Sequence, residues 1–436
     1  MKKTELNRLV EKHFDPFGIN KKREIERLLF EISKRDKSGY LTILSRLPQN
    51  NSPYAAIKKA LLKLRFPYSA CQKDDLRPYL PKLDIDPVNT VKTCNKFCPS
   101  NIYIEKTAYS GSLAGRIRDN FPKAKVKRIG SLKNLLKEQR AFSIRDYNNR
   151  LENLYVTEER HDFFKKCPCT KSAISCGYYI LNIGFGCVYE CSYCFLQEYT
   201  NCPGIILPSN INAFLDRLKS FKKPGMRIGT GEFTDSLALD HITQYSLELV
   251  GFFDQNRDIT LELKTKSCNV SNLLNIKHGK NVVIAWSINP ENIILKNEFN
   301  SASLGERIEA ALKCIRAGYR VAIHLDPIIY HKNWQKEYRD LVNRLFDAIH
   351  YRHIAWISRG TLRFNPHLKT IIENRFPDNR ILDEELLIGF DNKLRYPDKQ
   401  RYIIYKNMLS LIRKRSKKTW VYLCMENIDM WKALKT

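Results

Sequence analysis

Residues 184–197 read GFGCVYECSYCFLQ, and the cysteines inside it, Cys187, Cys191 and Cys194, stand in C-x3-C-x2-C spacing. Iron–sulfur clusters are held by cysteine thiolates. Three thiolates on one short loop therefore suit three irons of a cubane, leaving a fourth iron open to bind and reduce something else. The run just before it, YYILNIG at 178–184, is apolar and of strand length. The spacing thus puts a redox centre at the end of a strand.

Further apolar runs follow at 226–231, 259–264, 282–287, 319–325 and 354–359, with helical patterns between them. Strands separated by helices of this kind imply right-handed crossovers and a parallel sheet. Counting the first run, six such units fit a partial (β/α)6 barrel, in which sites gather at the C-terminal strand ends. At one such end lies Gly229-Thr-Gly231-Glu232. Glycines there let a backbone approach a ligand, and the neighbouring carboxylate suits an ammonium group. A Gly-x-Gly-Glu is also a common strand-ending turn.

Upstream the pattern differs. Residues 1–95 read as a basic helical module, with Ile25, Leu28, Leu29 and Ile32 at helical spacing, repeated by Ile57, Ala60, Leu61 and Leu64. Prolines and charges between Arg77 and Asn89 read as a linker. Residues 96–175 read as a small α/β unit, strand-like at 102–105, helical at 112–120 and strand-like again at 125–129. Residues 176–436 are assigned to the barrel and a C-terminal extension.

The chain has 436 residues and a formal net charge of +28. Residues 1–180 hold 37 Lys/Arg against 19 Asp/Glu, so the front carries most of the excess. Such a surface suits a polyanion, since Lys and Arg neutralise phosphates and release counterions. A Lys-rich, well-solvated surface is the plainer alternative. No run reaches the roughly 18 apolar residues of a membrane span, and the charged N-terminus lacks the apolar core of a secretory signal. Cytoplasmic location and reduced thiols are therefore expected for the 13 cysteines. Cys94 and Cys98, then Cys167, Cys169 and Cys176, precede the cysteine loop in no standard finger or ribbon spacing, so a second metal site and plain packing both stand.

The cysteine run, with an aromatic before its last member, resembles the signature of the radical S-adenosylmethionine (SAM) superfamily. Several further segments narrow the match: Cys191–Gln197, Thr265-Lys266, Trp286–Asn289, Arg307–Tyr319 and Asp326–Ile329 are similar to successive segments of the spore photoproduct lyase family. The similarity runs from about 102 to 425 and leaves the helical front outside it. It implies one 4Fe-4S cluster on Cys187, Cys191 and Cys194, with SAM on the open iron cleaved to a 5'-deoxyadenosyl radical. It also implies SAM contacts from Gly229, Gly231, Glu232, Lys266 and Ser287, a nucleic-acid substrate with DNA favoured, and a reductant such as flavodoxin or ferredoxin. Lys and Ser suit the carboxylate and ribose of SAM, although a lone strand-end Lys or Ser is also commonly solvated or capping.

One departure bears on the reaction. The lyase returns a hydrogen atom to its product from a cysteine just past the second strand, where this chain has Glu232. The tyrosine that follows the lyase's last cluster cysteine is Phe195 here, while Tyr193 remains. Tyr193 and Cys424, the latter on an apolar run near the barrel's end, are the remaining candidates for hydrogen transfer. The resemblance therefore implies a lyase-like or related repair or modification enzyme. Radical chemistry on a peptide or small metabolite, and a non-catalytic iron–sulfur protein that binds nucleic acid, are the alternatives.

Overall fold

The computed structural model describes residues 3–48, 52–72, 76–92, 97–137, 142–159, 163–170 and 172–434. The chain divides into two compact units, one formed by 1–90 with 362–401 and the other by 91–361 with 402–436.

In the larger unit the strands are β1 (Asn101–Glu105), β2 (Lys125–Ile129), β3 (Asn153–Thr157), β4 (Phe164–Lys166), β5 (Tyr178–Leu181), β6 (Glu190–Cys191) and β7 (Ile205–Pro208). They continue with β8 (Arg227–Gly229), β9 (Thr260–Thr265), β10 (Val282–Ser287), β11 (Glu298–Phe299), β12 (Arg320–Ile328) and β13 (Ile354–Thr361). In the smaller unit are β14 (Arg363–Phe364), β15 (Leu387–Ile388) and β16 (Leu394–Arg395); β17 (Val421–Leu423) returns to the larger unit.

All six expected barrel strands form, as β5, β8, β9, β10, β12 and β13, in one sheet of order β17-β13-β12-β10-β9-β8-β5-β4. Neighbours pair in parallel except β4, which runs antiparallel to β5. The sheet curls into a half-barrel. Its curl is visible in Arg227 of β8, whose Nη2 lies 3.1 Å from the hydroxyl of Tyr422 on β17 although four strands separate the two. Inside the curl, Glu262 on β9 meets His324 on β12 at 2.6 Å, and His324 meets Ser358 on β13 at 2.7 Å. His324 is thus the polar contact of a barrel interior, and burial lowers its pKa despite Glu262.

The small sheet has order β2-β1-β3-β7, all parallel. Its fourth strand comes from beyond the cysteine loop. The chain therefore leaves the half-barrel at β5, makes the loop, and enters the small sheet at β7.

The smaller unit differs from the expected 1–95 module. The helices Ile19–Asp36 and Tyr54–Arg65 pack their apolar faces as the spacing predicts, but Leu387 joins the same core. Residues 362–401, assigned from sequence to the barrel, belong here. The reason is a buried ion network: Glu31 pairs with Arg27 Nε at 2.9 Å, Arg65 Nε at 2.8 Å and Lys369 Nζ at 2.6 Å, and Arg27 also pairs with Glu373 at 2.8 Å. Charges this buried persist only when paired, so the two segments need each other.

Burial works against the Glu31 carboxylate, but Lys369, Arg65 and Arg27 outweigh it and hold its pKa far below the usual range. Its contribution to stability is therefore present above the unfolded-state pKa, about 4.3, and fades as pH falls below it. Glu31→Gln should destabilise this unit by about 3–5 kcal/mol at pH 7, because Arg65 and Lys369 lose their carboxylate and Arg27 keeps only Glu373. Urea unfolding at pH 7 and at pH 3 checks it: the gap between variant and wild type should shrink in acid, and an equal gap at both would contradict the network.

Candidate active site

The cysteine loop is held by its backbone. Gly186 enters it at φ +90, where a Cβ would meet Ile205 Cδ1 at 3.0 Å and the Gly204 carbonyl at 3.2 Å, so only glycine fits. The Gln197 side-chain amide donates to the carbonyls of Cys191 (3.3 Å), Ser192 (2.9 Å) and Cys194 (3.0 Å). Arg150, from the turn before β3, pairs with Glu190 and donates to the carbonyls of Cys187 (3.1 Å) and Tyr189 (2.9 Å). On the opposite side β6 pairs with β11, and Ser192 binds Asn297 through both backbone and side chain at 2.8 Å.

The three thiols converge within electrostatic range of one another. Burial pushes the Cys187 thiol up to about 12, helped by Asp235, and raises Cys191 and Cys194 as well. Lys266 acts the other way on Cys191 and Cys194. Such a set favours thiolates only when further positive charge arrives, which is what a metal supplies. Among the described residues no group of three His, Cys, Asp or Glu side chains is preformed around a single point. Each thiolate of a cubane binds a different iron, so three thiols on one short loop suit a cluster.

Around the loop stand the ends of β8, β9 and β10. Asp235 accepts from the Thr265 hydroxyl (2.6 Å), the Lys266 backbone N–H (2.7 Å) and the N–H groups of Leu237 and Ala238. It thereby ties the β8 exit to the end of β9. The Lys266 ammonium lies 5.9 Å from the Tyr193 ring; burial opposes its charge, but Glu298 and Cys191 prevail and its pKa rises. Ser287 is buried, its hydroxyl on the Asp326 carbonyl at 3.2 Å and its own carbonyl on Arg307 Nη1 at 2.8 Å. Glu232 lies 3.0 Å from Lys165 Nζ, which also stands 4.6 Å over the Phe233 ring.

The space beside Gly229 is filled by Tyr178, whose hydroxyl would lie 1.5 Å from an added Cβ, and a Cβ on Gly231 would meet the Lys264 carbonyl at 3.1 Å. Packing inside the half-barrel already demands both glycines, whatever approaches them. Tyr193 is buried with its hydroxyl donated to Glu298, which also takes Asn289 Nδ2 at 2.9 Å and Arg307 Nη1 at 2.7 Å. Cys424 is grouped with Cys167, Cys176 and Tyr422 rather than with the cysteine loop. Phe195 is part exposed and packs edge-on against Tyr199 at 5.5 Å.

A curled, largely parallel half-barrel with a three-cysteine loop after its first parallel strand defines the class, the radical SAM enzymes. The particular family follows from the chain itself: the spore photoproduct lyase family model matches residues 97–421, and the chain belongs to that family. It is 27% identical over 302 residues to the spore photoproduct lyase of Bacillus subtilis (strain 168), covering 67% of this chain and 86% of that one. To the lyase of Geobacillus sp. (strain Y412MC61) it is 25% identical over 302 residues, covering 66% and 86%. A solved spore photoproduct lyase double mutant with bound AdoMet and dinucleoside spore photoproduct superposes with TM-score 0.66 at 23% identity, over 76% of this chain and all of that one, which shows the shared fold.

If the Gln197 amide is what keeps the loop in shape, Gln197→Leu should keep all three thiols yet retain iron poorly. Anaerobic reconstitution should give about four irons per chain in the wild type and none in Cys191→Ala, with Gln197→Leu losing at least half on gel filtration. Full retention by Gln197→Leu would show the clamp to be dispensable.

Proposed function

We propose that the chain carries one 4Fe-4S cluster on Cys187, Cys191 and Cys194, binds SAM beside it, and acts on nucleic acid by a reaction other than the return of spore photoproduct to two thymines. The observation that carries this reading is the clamped loop with one buried and two half-buried thiols and a half-buried lysine next to them. When bound, the reduced cluster and SAM supply a carbon-centred radical able to abstract hydrogen.

The chain's own residues hold and orient. Lys266 is kept cationic among Glu298, Cys191 and Asp235 and suits a carboxylate. Glu232 offers its charge to an ammonium, for which Lys165 is the competing partner. Ser287, at the end of β10, is the hydroxyl suited to ribose, a contact for which it would exchange its bond to the Asp326 carbonyl. A proton leaving Tyr193 passes to Glu298, to which that hydroxyl already donates. A carboxylate at 232 cannot return a hydrogen atom as a thiol does, which supports a different outcome on the substrate.

Nucleic acid is favoured by the substrate named for a solved relative, a dinucleoside spore photoproduct, and by β2. That strand is a sheet edge with Lys125, Lys127 and Arg128 exposed, and Lys127 and Arg128 lie over Tyr103 and Tyr109. Charged edges also guard against strand pairing. Salt separates the two roles: Lys125, Lys127 and Arg128 changed together to Glu should weaken DNA binding and flatten its log–log salt slope by about 0.9 per lost phosphate contact.

The cofactor reading is tested directly by SAM affinity. Glu232→Ala and Lys266→Ala should keep iron and each lose about 1.5–3 kcal/mol of SAM binding, measured by calorimetry on the reconstituted protein. Unchanged affinity in both would move the pocket elsewhere. With SAM, reductant and DNA containing spore photoproduct, 5'-deoxyadenosine should form without efficient thymine recovery; efficient recovery would overturn the assigned departure from the lyase reaction.

A further inference from the structure

Both open edges of the half-barrel sheet end in cysteine. β4 is one edge and β17 the other; Cys167 follows β4 directly, and Cys424 follows β17. Between β4 and β5 the chain returns through CPCTKSAISCG, residues 167–177, which adds Cys169 and Cys176 to the same connection.

The curl brings these thiols together. The sulfurs of Cys167 and Cys169 are 3.8 Å apart. Cys167 lies in electrostatic range of Cys424 and Cys176, Cys176 of Cys169, and Tyr422 of both Cys424 and Cys176. Backbone bonds fix the meeting: Ile174 N–H donates to the Glu426 carbonyl (2.9 Å), Cys167 N–H to Tyr178 (2.8 Å) and Cys424 N–H to Arg359 (2.8 Å). Arg227 Nη2 stands 3.3 Å from the Cys176 sulfur. All four cysteines are reduced thiols with no disulfide among them.

We propose that Cys167, Cys169, Cys176 and Cys424 form a tetrathiolate zinc site that staples the seam between the two sheet edges. Four thiolates about 2.3 Å from a tetrahedral zinc stand about 3.8 Å from one another. The Cys167–Cys169 pair already has that separation. Thiolates of a cubane sit on different irons and stand farther apart, so the pair selects a single ion over a second cluster.

The site closes as the metal binds. No three of these thiols already surround one point, so Cys176 and Cys424 move in onto the pair. Cys176 is exposed, and Gly177 after it has open space at its own Cβ position. Cys176 lines a cleft of about 380 Å³ whose other walls include Leu409, Arg413, Trp420 and Trp431. Each thiol releases its proton to solvent as its sulfur takes the metal, leaving a site of net charge −2 beside the Arg227 guanidinium. No electron changes hands. Cys424 is then a ligand and not a hydrogen donor.

The test is metal analysis of the full chain, grown with added zinc and purified anaerobically. Wild type should carry about one zinc per chain beside its iron, and Cys169→Ser and Cys424→Ser should lose zinc while keeping iron; Cys71→Ser, which alters an exposed thiol outside the group, should keep both. X-ray absorption at the zinc edge needs no variant and should show four sulfurs at about 2.3 Å. Absence of zinc, a nitrogen or oxygen shell, zinc retained in both serine variants, or a second set of irons in place of zinc would each overturn the assignment.

Discussion

Enclosing three thiols that must lose their protons in one partly buried loop is unfavourable unless the backbone around them is already satisfied and positive charge stands nearby. The hydrogen bonds on the carbonyls of residues 187–194 meet the first condition, from Gln197 within the same segment and from Arg150 at the small sheet. Lys266 at the end of β9 meets part of the second. The half-barrel and the small sheet both converge on this loop, and the crossing from β5 to β7 puts it between them. A loop held from two sheets leaves the three sulfurs little freedom, which is what a cluster with one open iron needs.

The strands of the half-barrel were readable because each is a short apolar run between helical patterns, and burial on both faces keeps such runs apolar. The cysteines were readable because their chemistry lies in local spacing. What escaped was whatever depends on distant partners. Glu298 sits 105 residues from Tyr193, and nothing beside either residue announces the pair. Asp235 reads as an ordinary loop carboxylate until the end of β9 is brought to it. Residues 362–401 look like more barrel because the cations and carboxylates that send them to the front helices are spread along helix faces, where charge is normally solvated. Gly229 and Gly231 were marked by sequence, but the atoms that demand them belong to Tyr178 and Lys264.

The interior of the half-barrel is polar where a plain α/β core is apolar. Arg227 stands among the rings of Tyr178, Trp356, Trp420 and Tyr422, and its Nε lies 3.7 Å from Glu262, which in turn binds His324. These contacts run from strand to strand around the curl and end at the seam where Cys176 and Tyr422 meet. A cation within aromatic faces fixes the curvature more tightly than aliphatic packing alone, since both its distance and its direction matter. The site at the strand ends inherits that rigidity.

The central claim is that the three-cysteine loop holds a cluster with one iron left for SAM. Electron paramagnetic resonance of the dithionite-reduced, reconstituted protein, recorded with and without SAM, addresses it most directly. The signal of a reduced 4Fe-4S cluster should appear, shift when SAM is added, and be absent from Cys191→Ala. A cluster signal that SAM leaves unchanged, or one that survives loss of Cys191, would contradict the account.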